Sequence, residues 1–227
     1  FCLLCLKLQG GIVSFIAVLF GILTALVVYL LASPNGHFSH GKMILTGIGI
    51  AALFDAVTSY LLTKTAEFNV SVTMQWLSGN LNGMEKKDIP LLAFSVLFFG
   101  LILCFLERHL QILALGDDYA TALGIDLGRT CLLIIFCGVC LVAFPTAVTG
   151  PVASVAFLSG PIASRLTGYV KSSVLPSAFV GALLVLAADF IGNRLLPVHY
   201  PAGVITGLLG APYMLYLLIN INKKGAL

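Results

Sequence analysis

The chain offers few residues whose type and spacing suit chemistry. Cys2 and Cys5, like Cys137 and Cys140, have the spacing of redox and metal-binding motifs. No histidine or acidic residue accompanies either pair at ligand spacing, so we interpret all four as small apolar residues of helices. The sequence contains no glycine-rich phosphate loop that ends in Lys-Ser or Lys-Thr, and no metalloprotease histidine pair. It therefore predicts no catalytic site, no metal site and no cofactor.

Asp55 is the one charged residue within a long apolar stretch at residues 43–62. An ionised carboxylate at the centre of a bilayer raises the insertion free energy by about 2.5–3.5 kcal/mol. We therefore expect Asp55 to face protein or water. Two interpretations stay open: it lines a substrate path, or it is protonated or hydrogen-bonded to a neighbouring helix.

The composition indicates whether the helices of this chain lie in water or in a membrane. Hydrophobic residues make up 59% and charged residues 9% of the 227 residues, and the mean hydropathy is +1.08. Soluble domains carry about 25% charged residues, so this chain is typical of membrane proteins. A helix crosses about 30 Å of hydrocarbon with roughly 20 apolar residues. We predict an all-α polytopic transmembrane helix bundle with seven spans, at residues 11–32, 43–62, 89–106, 130–148, 150–164, 174–192 and 202–220.

Residues 1–227 are expected to form a single membrane domain, because no polar stretch is long enough to bury a core of its own. The fifth span is the shortest and is rich in Gly and Pro. The longest polar connections are residues 63–88, which include Trp76, and residues 107–129.

The placement of lysine and arginine predicts an orientation. If the end of the chain is cytoplasmic, seven basic residues lie inside: Lys42, Arg108, Arg129, Arg165, Lys171, Lys223 and Lys224. Five lie outside: Lys7, Lys64, Lys86, Lys87 and Arg194. This excess predicts that the connection at residues 107–129 is cytoplasmic.

Residues 111–124 connect the third and fourth spans and predict a short amphipathic helix of about two turns. Asp117 and Asp118 lie where acids cap a first turn and complement the helix dipole. Gly124 suits a left-handed cap at its end. So short a helix is marginal in water because its nucleation is unfavourable, so we expect it to pack against a partner protein.

Asp189 and Arg194 end the sixth span on its predicted outer side. They could form a pair along the helix, which at a surface stabilises by less than about 1 kcal/mol. Arg194 could instead meet an acidic partner. Spacing alone does not choose between these roles.

Several segments together resemble the iron-siderophore, haem and cobalamin ABC importer permeases of bacteria, in that family's order and spacing. They read MQWLSGNL at 74–81, LALGDDYATALG at 113–124, GPVA at 150–153, Ala-Asp through Arg at 188–194, and PAGVITG at 201–207 with GAPY at 210–213. One segment differs. Residues 159–164 read SGPIAS where many relatives have APHIAR, so a role tied to that histidine does not carry over.

The resemblance implies a type II ABC importer permease in a bacterial plasma membrane. Such permeases have ten helices, so the seven spans match the fourth to tenth and we expect the chain to lack the first three. The implied partners are a cytoplasmic ATPase dimer that binds ATP and Mg, an extracytoplasmic substrate-binding protein, a second permease copy or paralogue and membrane lipid, with no nucleic acid.

The resemblance also implies roles for particular residues. The segment 113–124 becomes the helix that couples to the ATPase, and Arg194 becomes a docking residue for the binding protein. The second and last spans lie near the translocation path, which makes Gly47, Asp55 and Gly207 candidates for its lining. The coupling residues are Leu113, Ala114, Leu115, Gly116, Asp117, Asp118, Ala120, Leu123 and Gly124.

We therefore expect the permease subunit of an ATP-driven importer, most simply for ferric siderophores, without enzymatic activity of its own. Haem or cobalamin is the alternative cargo. An alternative of another class is an ion-coupled secondary transporter that uses Asp55. A third is an inactive product that lacks its first helices.

Overall fold

The computed structural model is helical, in agreement with the predicted all-α class, and no strand occurs among the residues that it describes. These are residues 11–32, 40–64, 73–74, 77–79, 81, 84, 86, 88–152, 154–168, 174–195 and 200–225. Cys2, Cys5, Trp76 and Lys171 lie outside them.

The helices follow the apolar runs. They are α1 (Gly11–Ala32), α2 (His40–Lys64), α3 (Ile89–Phe105), α4 (Glu107–Leu113), α5 (Asp117–Ala122), α6 (Leu127–Thr149), α7 (Val155–Leu166), α8 (Val174–Phe190), a π-helical turn (Ile191–Leu195) and α9 (Ala202–Gly225). Each predicted span therefore coincides with a helix. The bounds at 11–32 agree at both ends.

Length separates these helices into two groups. Among the described residues, α1, α2, α6 and α8 with its π-helical turn are long and apolar enough to cross a membrane. α3 and α4 meet the same criteria only together, with a bend of 54° between them, and count as a fifth crossing if the pair is one span. The apolar helices at Val155–Leu166 and Ala202–Tyr213 are shorter.

The fifth predicted span begins later than residue 150. Gly150 and Ser154 both have left-handed backbones, with φ of 76° and 68°, so a right-handed helix cannot include them. α7 therefore has 12 residues. At 1.5 Å per residue it extends about 18 Å, less than the hydrocarbon thickness.

Contacts divide the chain into two units, so a single domain stays a prediction. The first unit comprises residues 1–73 and 86–148. In it α1 packs on α2 and approaches α6, where a Cβ at Gly21 would lie 3.5 Å from that of Ala143. Phe99 of α3 stacks on Phe144 and meets Phe136 edge to face, each with 6.3 Å between ring centroids.

The second unit comprises residues 74–85 and 149–227. α8 packs on α7 and on α9. The buried core of this unit consists of Ala188, Ala202 and Ile205, and the partly buried Leu81 and Ile191 pack against it. Small residues dominate this core, which lets helix backbones approach closely as in other membrane bundles.

Candidate functional site

The predicted coupling segment lies between α3 and α6 and consists of two helical pieces instead of one. Leu113 ends α4 and Ala114 is its C-cap residue. Leu115 and Gly116 form the turn, and α5 contains Asp117, Asp118 and Ala120. Leu123 is the C-cap of α5, and Gly124 follows it.

Gly116 sets the angle between the two pieces. Its φ of 115° and ψ of 156° lie in a region that is essentially restricted to glycine. Gly116 is also the N-cap of α5, without a side-chain capping bond. Asp117 and Asp118 therefore lie inside the first turn of α5, and the expectation that they cap it is wrong.

The end of α5 has the geometry that Gly124 predicts. Gly124 has a φ of 81°, and its amide donates to the carbonyl of Thr121 at 2.9 Å. The amide of Ile125 donates to the carbonyl of Ala120 at 3.0 Å. These two bonds define a Schellman motif, which satisfies carbonyls at the end of the helix.

Large apolar side chains are exposed along this segment. Leu115, Tyr119 and Leu123 are 65%, 67% and 65% exposed, while Ala120 is fully buried. Tyr119 and Leu123 are four positions apart and lie on one face of α5, while Leu115 belongs to the turn that precedes Gly116. We call these three side chains the apolar stripe. The sequence analysis missed Tyr119, although its spacing of four from Leu123 is a signal for a shared helix face.

The segment is joined firmly to the next crossing helix. Oδ1 of Asp126 accepts a hydrogen bond from the amide of Arg129 at 3.2 Å. Asp126 thereby caps the N-terminus of α6. Its Oδ2 lies 3.2 Å from Nε of Arg129 in an exposed ion pair. Neither residue was expected to act in this way.

Arg194, the predicted docking residue, is exposed in the π-helical turn that follows α8. Asp189 accepts a hydrogen bond from Nδ2 of Asn193 at 2.8 Å. No ion pair joins Asp189 to Arg194 in the part of the chain that the structure describes. The pair that spacing allowed is therefore not formed among these residues, and the docking role of Arg194 stays a prediction.

Three of the motif segments meet within the second unit. The amide of Gly203 donates to the carbonyl of Gly79 at 3.2 Å. A Cβ at Gly79 would lie 2.5 Å from the carbonyl oxygen of Pro151, and one at Gly203 would overlap that of Ser78. Glycine at both positions is therefore required for the close approach of these backbones.

The candidate path residues lie on α2 and α9. Apart from sequence neighbours and the backbone of the same helix, no atom of the described residues lies within 4 Å of a Cβ built at Gly47 or at Gly207. Asp55 is exposed. Residues that could hold a metal ion do not cluster in the described ranges. Cys137 and Cys140 are buried free thiols of α6, as interpreted.

Comparison with known proteins identifies the family. The sequence model of the FecCD transport family matches residues 1–220. The chain belongs to this family. As a FecCD permease it is a multi-pass membrane protein, and such subunits have neither a catalytic site nor a resident cofactor.

The curated relatives of this FecCD chain are named for different substrates. It is 35% identical to the ferric enterobactin permease FepG of Escherichia coli, with 90% of this chain and 62% of FepG covered. It is 35% identical to the Fe(3+)-citrate permease YfmE of Bacillus subtilis, over 85% and 58% of the two chains. Identity to the cobalamin permease BtuC of Halobacterium salinarum is 30%, over 87% and 53%.

A solved structure has the same fold. It is described as an inward-facing conformation of a metal-chelate type ABC transporter, and it matches with a TM-score of 0.79 at 28% identity. The match covers 89% of this chain and 66% of that one. The chain thus spans about 60% of the length of its FecCD relatives.

Proposed function

We propose that the chain belongs to the permease subunit of an ATP-driven ABC importer for ferric siderophores. It passes the chelate from a binding protein to the cytoplasm, and partner ATPases supply the energy. Iron chelates are favoured because two relatives at 35% identity are named as permeases for ferric enterobactin and Fe(3+)-citrate. Cobalamin is the second candidate, on the BtuC relative at 30%.

The apolar stripe is the observation that carries the coupling proposal. Leu115, Tyr119 and Leu123 are exposed on a short segment outside the membrane-length helices. On a segment that we place outside the bilayer, such exposed apolar groups mark a docking surface. We assign the cytoplasmic ATPase dimer as the protein that covers them.

Rigid connections allow the segment to transmit force. The Schellman motif at Gly124 and the cap at Asp126 join α5 to α6 without a flexible linker. Movement of α5 is therefore passed to a crossing helix. The ATPase states must bind the permease conformations with different affinity, because only a differential affinity can shift that equilibrium.

The exposure of α2 supports a translocation path next to a second permease copy. In the membrane-length part of α2, Gly41–Lys64, no residue is buried by the rest of the chain. Asp55 and Gly47 are on this helix, and an exposed carboxylate there is unfavourable in lipid. Water in a path between permease copies would solvate it. Gly207 on α9 is the matching candidate in the second unit.

Transport in proteoliposomes tests this function. The permease that contains this chain is reconstituted with its ATPase, the cognate binding protein and ⁵⁵Fe-loaded chelate. Uptake that needs internal ATP and both partners is the expected result. Uptake driven by an imposed ion gradient alone would overturn it in favour of a secondary transporter, and uptake of cobalamin but not iron would change the cargo.

A further inference from the structure

The register of the turn around Arg194 brings an acid and a base together. A π-helical turn is wider than an α-helical turn, with backbone hydrogen bonds between residues five apart, so the side chains four and five positions ahead both come to the same side of the helix as that at i. The turn covers Ile191–Leu195 and continues α8. Arg194 is five positions after Asp189. Charge and register together therefore favour a pair between them.

The structure has a different arrangement. The Asn193 amide donates to Oδ1 of Asp189 at 2.8 Å, and both residues are partly buried. The side chain of Arg194 is exposed and forms no hydrogen bond or ion pair with another described residue. Asn193 thus engages the carboxylate that would otherwise attract the arginine.

Backbone contacts fix this turn. Gly192 is buried, and a Cβ there would lie 2.6 Å from the carbonyl oxygen of Tyr200 and 2.8 Å from Cδ1 of Ile205. The carbonyl of Gly192 accepts from the amide of Tyr200 at 3.3 Å. Because the backbone has little freedom, the choice of partner for Asp189 is made by side-chain rotation.

We propose that Asn193 is a positioning residue that holds Asp189 away from Arg194 and leaves the guanidinium available to a carboxylate of the substrate-binding protein. The proposal rests on the docking role of Arg194. It adds that docking depends on a neutral side chain that need not touch the partner. A half-buried hydrogen bond to a carboxylate is stronger than an exposed ion pair, which explains why Asn193 prevails.

Chemical modification of Arg194 tests the pairing without any partner protein. The purified permease is treated with phenylglyoxal, which reacts faster with an unpaired guanidinium, and modification is followed by peptide mass spectrometry. Arg129, paired with Asp126 at 3.2 Å, gives the rate of a paired arginine in the same molecule. Asn193→Leu, which is nearly isosteric, and Asn193→Ala are both measured.

Both substitutions release Asp189. We expect Arg194 to react about threefold more slowly in them, as for a weak exposed pair. Adding Asp189→Asn to either variant removes the negative charge and should restore the original rate. The proposal is overturned if Arg194 reacts at the same rate in the single variants, or if Asp189→Asn does not restore it. A merely structural role of Asn193 would not be rescued in this way.

Docking is measured separately, with the cognate binding protein immobilised and the permease in nanodiscs. Asn193→Leu should weaken binding by about threefold and Asn193→Leu/Asp189→Asn should recover it. Arg194→Gln is the reference. If Arg194→Gln leaves binding unchanged, the docking role is wrong, while the modification rates still decide whether Asn193 controls the pairing.

Discussion

The amide of Gly203 donates to the carbonyl of Gly79 across 3.2 Å, and this bond ties the start of α9 to the connection at residues 74–81. A side chain at Gly203 would overlap the carbonyl oxygen of Ser78. The hydroxyl of Thr206, itself buried, donates back to the carbonyl of Gly203 at 3.0 Å. Two distant family motifs therefore stabilise one junction.

Replacing Gly203 with alanine should destabilise this junction. The added methyl group meets backbone atoms that cannot rotate away, and such overpacking reduces the free energy of unfolding by about 1–3 kcal/mol. Thermal unfolding in detergent measures it. Gly207→Ala is the matched control, because its added Cβ has no atom of another described element within 4 Å. Equal melting temperatures for the two variants would contradict the role of this close approach.

The contrast between Gly203 and Gly207 shows what a sequence pattern cannot predict. Charge-free runs locate the crossing helices because water cannot solvate them, and α1 agrees at both ends. Gly203 and Gly207 belong to one motif, yet only the fold reveals which one touches another backbone. The pattern of apolar residues carries no information on that contact, since membrane helices are apolar on all sides.

The same limit applies to the coupling segment and to the turn at Arg194. Gly124 is recognisable because a left-handed cap requires a glycine. The division between α4 and α5 depends on the backbone of Gly116, and the π-helical turn depends on the packing of Gly192 against Tyr200. Both are tertiary effects. The roles of the predicted site residues stay predictions until the experiments are done.

A negative charge in the apolar stripe should uncouple transport from ATP hydrolysis. Leu115→Glu and Tyr119→Glu leave folding almost intact because both side chains are exposed. Loss of an interface anchor weakens binding by about 2 kcal/mol, so ATPase stimulation and uptake should fall by about tenfold or more. Gly116→Glu adds backbone strain of about 1–3 kcal/mol and should have the same effect.

The control for this prediction is Thr121→Glu. Thr121 is exposed on the opposite side of α5, and its hydroxyl donates to the carbonyl of Asp118 at 2.9 Å. It should keep most of the uptake. Membrane insertion is verified for every variant by protein yield. Unchanged uptake in Leu115→Glu would mean that the apolar stripe does not contact the ATPase.

Arg194→Glu should weaken docking of the binding protein by about tenfold at low ionic strength, and by less at physiological salt. Charges interact over about 30 Å at 0.01 M salt and about 8 Å at 0.15 M. Surface plasmon resonance over a salt series measures the slope. Arg194→Gln removes the positive charge without adding a negative one. Its docking affinity should lie between that of the original protein and that of Arg194→Glu. A variant series without salt dependence would indicate a structural arginine.

Asp55→Asn distinguishes a path residue from an ion-coupling site. The amide keeps the shape and polarity of the carboxylate but cannot bind a proton. If Asp55 lines a water-filled path, uptake should fall by no more than about fivefold and should still require ATP. Asp55→Leu should reduce it further. Complete loss in Asp55→Asn, together with a response to ionophores in the original protein, would favour ion coupling.

Asp126→Ala should loosen the connection between α5 and α6. Loss of an N-cap reduces the free energy of unfolding by about 0.5–2 kcal/mol, whereas Arg129→Ala removes only an exposed ion pair that contributes at most about 1 kcal/mol. Melting temperature in detergent should therefore fall more in Asp126→Ala. If coupling needs a rigid connection, uptake per ATP hydrolysed should fall in Asp126→Ala and stay constant in Arg129→Ala. Both substitutions remove the ion pair, so equal falls in the two variants would show that this pair, and not the cap, holds α6 to the coupling segment.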